Sequence, residues 1–62
     1  MSMRIAQFLA RCGIASRRKS EEIIRAGRVQ MNGEPVLDLG RQVDPGHDRV
    51  EVDGRPVELQ AK

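Results

Sequence analysis

Three consecutive cations, Arg17, Arg18 and Lys19, follow Ser16, a residue type that accepts a hydrogen bond at the start of a helix. The first turn of a helix carries partial positive charge, so a helix built only for stability would place Asp or Glu there. A local rule broken at three adjacent positions points to a task. The free backbone N–H groups of such a turn and the three side chains face one region, which suits a phosphate carried by a partner. Arginine adds paired contacts to phosphate oxygens that lysine cannot make. An exposed Arg18–Glu22 pair contributes only about 0.3–0.5 kcal/mol, too little to account for the run.

Other cations extend this surface. Arg4, Gln7 and Arg11 stand at i, i+3 and i+7 and form one polar helix face, which lies beside the Ser16 turn if the two helices pack as a corner. Arg25 and Arg28 flank the end of the second helix, where cations suit the carbonyl end of the dipole, and Glu21 offers Arg25 a structural partner four residues back. The formal charge of +2 conceals an asymmetry. Residues 1–28 hold seven basic and two acidic residues, a net of +5, and residues 29–62 hold four and seven, a net of −3. Such a division is expected where one face meets a polyanion.

The remaining chemistry is sparse. The acids are spread through turns and strand edges, and no nucleophile stands with a base, so no catalytic residue is assigned. Cys12, the single cysteine, excludes an internal disulfide and a Cys-rich zinc site, and it falls on an apolar stripe as an inert core thiol. His47, the single histidine, sits in a polar loop with no second ligand at metal-binding spacing, so neither metal nor cofactor is expected. Phe8 is the only aromatic residue and belongs to the same apolar stripe. Stacking platforms for unpaired bases are therefore missing, and recognition must rest on backbone charge and shape. No run approaches the length of a membrane span, and the first residues lack a signal-peptide core, which points to a soluble cytoplasmic protein with no membrane partner; a monomer is expected.

The elements that must position these residues follow from periodicity. Ile5, Phe8, Leu9 and Cys12 follow the i, i+3, i+4, i+7 spacing of a buried stripe and predict a helix over about 3–12, with Ser2 as candidate N-cap and Gly13 as left-handed stop. Ile14 is placed for the apolar contact that often follows such a stop. A second helix is predicted over about 17–26, opened by Ser16, lined by Ile23 and Ile24 and ended by Gly27. Beyond Gly27 the period falls to two. Strands are predicted over about 28–32, 34–37, 48–53 and 55–59, with Asn32-Gly33 and Asp53-Gly54 as tight turns and Pro35 confining its strand to an edge or a start. Residues 37–46 read as a looser stretch. The fold class is α+β, two N-terminal helices packed on a small, mostly antiparallel sheet, in a single domain over 1–62.

The ordered run Arg4-Ile5-Ala6-Gln7-Phe8-Leu9, Gly13-Ile14-Ala15-Ser16-Arg17-Arg18, Ile23-Ile24 and Gly27-Arg28-Val29-Gln30-Met31-Asn32-Gly33 resembles the S4 RNA-binding domain with its αL-type motif. The segments Ala15–Arg18, Ala26–Val29, Leu39-Gly40 and Val43–Gly46 are most similar to the N-terminal domain of ribosomal pseudouridine synthases of the RsuA/RluB type. The resemblance implies that the helix pair binds structured RNA, ribosomal RNA in the first place, with Arg4, Ser16, Arg17, Arg18, Arg28 and Asn32 at motif positions. The chain departs from it in having Ala6 where many members have Asp, and Met31 where most have Val.

The catalytic part of such a synthase, with its essential Asp in a Gly-Arg-Leu-Asp context, is absent, since Gly40-Arg41 continues as Gln42-Val43. The resemblance thus implies an accessory RNA-binding domain whose isomerase lies in a C-terminal catalytic domain of a longer protein. A free-standing S4-domain protein binding ribosome or tRNA reads alike over these residues. A helix-turn-helix DNA reader and a protein-interaction module are the alternatives of another class. The first normally needs a third helix, where this chain turns to strand alternation.

Overall fold

The structure, a computed structural model, describes residues 2–59. The apolar stripe forms α1, Ile5–Arg11, and buries Ile5, Ala6, Phe8 and Leu9; the second stripe forms α2, Arg17–Arg25, and buries Ser20, Ile23 and Ile24. Each helix ends as its glycine dictates. Gly13 and Gly27 take φ of 79° and 77°, a region closed to most side chains. After α1 the Gly13 N–H donates to the Ala10 carbonyl and the Ile14 N–H to the Leu9 carbonyl; after α2 Gly27 donates to Ile24 and Arg28 to Ile23. This paired pattern is the Schellman motif, which satisfies carbonyls that the helix leaves open. Ile14 itself stays 39 % exposed.

The start of α1 differs from the expectation. Its N-cap is Arg4, which makes no side-chain cap, and Ser2 donates its hydroxyl to Gln42 Oε1 at 2.8 Å. Met3–Arg4 form a short strand, β1, antiparallel to Gln42–Val43, with Met3 opposite Val43 and Arg4 opposite Gln42. The Ile5 N–H, which the helix cannot use, donates to the Arg41 carbonyl at 2.9 Å. Strand pairing thus replaces the capping side chain, and it draws Val43 into the core with no exposed surface.

In chain order the remaining strands are β2 (Val29–Met31), β3 (Glu34–Pro35), β4 (the Gln42–Val43 partner of β1), β5 (Val50–Val52) and β6 (Arg55–Val57). β3, β2, β5 and β6 form one antiparallel sheet in that spatial order. Pro35 lies in the outer strand β3, where its missing N–H leaves no gap in the ladder. Asn32-Gly33 and Asp53-Gly54 both take positive φ, Asn32 at 55° and Asp53 at 54°, as the hairpin turns of a twisted sheet require. The strands are shorter than their alternation suggested: Leu37 is 63 % exposed, and Asp48 and Arg49 lie outside β5.

Helix and sheet residues share one core, in which Ile5, Leu9, Ile24, Val29, Val43 and Val50 are at most 1 % exposed. Ala6 and Met31, the two departures from the S4 pattern, are also buried. Ser20 is buried on the inner face of α2, and its hydroxyl has no partner among the described residues. No helix among the described residues is long and apolar enough to cross a membrane.

Candidate nucleic-acid interface

Ser16 caps α2 by accepting from the Lys19 N–H at 3.2 Å, while its carbonyl accepts the Ser20 N–H at 2.8 Å. The backbone N–H groups left open in that turn are those of Arg17 and Arg18, and no acid stands there. Inward anchoring by Ser20, Ile23 and Ile24 turns Arg17, Arg18, Lys19 and Arg25 outward, and all four are exposed. Glu22 pairs with Lys19 at 3.5 Å, so the Arg18–Glu22 and Glu21–Arg25 pairings considered from sequence are not the ones formed. Arg17 and Arg18 enter no ion pair among the described residues, and their charge stays available. On α1, Arg4 and Arg11 are exposed and Gln7 is half-buried.

Arg28 and Asn32 are placed differently from the rest. They flank β2 at opposite ends, about 13 Å apart along an extended chain, so no single contact joins them. The Arg28 guanidinium grips Asp53, with Nε at 2.9 Å from Oδ1 and Nη2 at 2.5 Å from Oδ2, and the Asp53 N–H donates to the Arg28 carbonyl at 2.9 Å. Its charge is therefore partly met within the fold. Asn32 uses its amide to hold a corner: Nδ2 donates to Asp48 Oδ1 at 3.1 Å and Oδ1 accepts from the Arg49 N–H at 2.9 Å. Sequence spacing gave no sign of Asp53 or Asp48 as partners, because they lie 25 and 16 residues away along the chain.

Both carboxyls titrate below the ordinary range. Hydrogen bonds from Arg28 lower Asp53. Asp48 is lowered first by the Asp44 backbone N–H, which it accepts at 2.9 Å, and then by the Asn32 amide. A carboxyl lowered in the folded chain stabilises the fold above its unfolded value near 4 and loses that contribution as pH falls through the folded value. The urea midpoint is accordingly expected to hold level from neutrality to about pH 5 and to decline below about pH 4. Asn at both 48 and 53 should flatten that decline; an unchanged acid limb in the double variant would remove these carboxyls as its cause.

Burial pushes the Cys12 thiol up to about 11, with the Glu58 charge adding to the shift. At pH 8 only about one thiol in a thousand is then thiolate, and that one is covered. Iodoacetamide is expected to label the native chain negligibly and to label it fully once denaturant is added. Rapid labelling without denaturant would show that Cys12 is accessible.

A family model described as the S4 domain matches residues 3–48. An uncharacterized RNA pseudouridine synthase of Aquifex aeolicus is 55 % identical over 62 residues, which is all of this chain and 25 % of that protein. Ribosomal large subunit pseudouridine synthase B of Bacillus subtilis is 47 % identical over 57 residues, 92 % of this chain and 23 % of that protein. The protein of the same name in Vibrio cholerae is 42 % identical over 62 residues, all of this chain and 19 % of that protein. The chain thus spans a quarter or less of these curated relatives.

Proposed function

Because this chain belongs to the S4 domain family, we propose that it holds structured RNA, ribosomal RNA in the first place, for a pseudouridine synthase whose isomerase chemistry resides in a further, C-terminal domain. The observation that carries this reading is the first turn of α2, where Arg17 and Arg18 offer open N–H groups and uncommitted guanidinium groups together. Arg4, Gln7, Arg11, Ser16, Lys19 and Arg25 extend the contact, and Arg28 and Asn32 contribute less because Asp53 and Asp48 already engage them. The functional unit is residues 1–62 as one monomeric domain: β5 and β6, beyond the matched segment, complete the sheet that carries the helices. Its place of work is the cytoplasm.

The test is titration of the domain with a structured rRNA fragment and a DNA duplex of equal length across a range of salt. Preference for RNA, with log affinity falling by about 0.7–0.9 per phosphate contact for each unit of log salt, is the expected result. Equal binding to both would reduce the surface to a generic cation patch. No binding to either would direct the search to an acidic protein partner.

A further inference from the structure

Two cations of the acidic half, Arg41 and Arg49, are carried by the fold to one corner. The Ile5 N–H donates to the Arg41 carbonyl at 2.9 Å, and Arg4 is the register partner of Gln42, so Arg41 lies against the start of α1 beside Arg4. Arg49 is fixed to the Asn32 turn by a reciprocal pair: the Asn32 N–H donates to the Arg49 carbonyl at 2.8 Å, and the Arg49 N–H donates to Asn32 Oδ1 at 2.9 Å. Asp48 links the two sides. It accepts from Asn32 Nδ2 and from the Asp44 N–H, and Arg41 is near enough for its charge to act on that carboxyl. Asp48 forms no salt bridge with Arg41 or Arg49. Arg4, Arg41 and Arg49 are all exposed and enter no ion pair among the described residues.

We propose that Arg49 at the Asn32 turn and Arg41, beside Arg4 at the start of α1, form a second anchor for the phosphodiester backbone of the bound RNA, additional to the anchor at Arg17 and Arg18. The proposal rests on the RNA-binding reading above. Asn32 serves it chiefly as a positioning residue, its amide engaged by Asp48 and by the Arg49 N–H. The longest dimension of the fold is 29 Å, short enough for one folded RNA to meet both anchors.

The experiment compares four proteins against the same structured rRNA fragment across salt: the native chain, Arg41→Gln with Arg49→Gln, Arg17→Ala with Arg18→Ala, and Arg55→Gln. Arg55 opens β6 beside the Asp53-Gly54 turn, at the opposite end of the sheet from the Asn32 corner. The Arg41/Arg49 variant is expected to bind about tenfold more weakly, with a salt slope shallower by about 1.4–1.8 and an unchanged melting temperature. Arg55→Gln is expected to bind as the native chain does. Native affinity and slope in the Arg41/Arg49 variant, beside a weakened Arg17/Arg18 variant, would overturn the second anchor and leave the RNA reading standing. Equal weakening by Arg55→Gln would overturn it as bulk charge, and failure of the native chain to bind RNA would overturn both readings.

Discussion

Alanine at both Arg17 and Arg18 is expected to lower affinity for structured RNA by about 30- to 100-fold at low salt and to leave the fold intact. Each guanidinium then makes a charge-assisted contact to phosphate of roughly 1–1.4 kcal/mol, below the usual range for such bonds because the surface is wet. Losing two contacts should also make the dependence of log affinity on log salt shallower by about 1.4–1.8. Both side chains are exposed and unpaired among the described residues, so stability should stay within about 0.5 kcal/mol of the native chain. Ser16 continues to cap the helix through the Lys19 N–H, and removing cations from a positively polarised turn favours the helix slightly. Binding titrations and a thermal melt on one preparation check both halves. Native affinity in the folded variant would remove this turn from the interface.

Ile24→Ala is expected to remove a large part of the domain's stability. Ile24 has no exposed surface and belongs to the core that α2 shares with Val29, Val43 and Val50. Truncating a buried isoleucine costs about 2–5 kcal/mol, the upper part of that range where the surroundings cannot collapse into the cavity. A chain of 62 residues has roughly 3–9 kcal/mol of stability in all, with no disulfide in support. The melting temperature should therefore drop by roughly 10–30 °C, and RNA binding should fall with the folded fraction. Ile24→Val removes one methyl group and should cost about 0.5–1.5 kcal/mol, separating cavity formation from any wider effect on the helix. A melt within a few degrees of native for Ile24→Ala would mean that the helix packing is far looser than the burial of this side chain implies.

The sequence makes both helices legible because everything that defines them is local. The stripe from Ile5 to Cys12, the cap at Ser16 and the glycine stops lie within a turn or two of the residues they govern. The hairpins are legible for the same reason, since Asn32-Gly33 and Asp53-Gly54 prescribe their own backbone. β1 and β4 are not, because a two-residue strand has no period to detect. Val43 accordingly stands in the core although its neighbours read as a loose stretch.

The candidate site divides along the same line. The exposure of Arg17 and Arg18 follows from the helical pattern, whereas the capture of Arg28 by Asp53 depends on β2 lying beside β5. Charge counted by halves of the chain also misplaces Arg41, which the β1–β4 pairing returns to the end of α1. A tally along the sequence cannot register a return in space.

The β1–β4 clasp also dictates an order of events during synthesis. Ser2 and Gln42 are 40 residues apart, and closing a loop of that length carries an entropic cost that the hairpins, with their tight turns, avoid. The first strand has nothing to pair with until Val43 has emerged. The cationic surface thus gains its fixed Arg4 end only after most of the domain has been made.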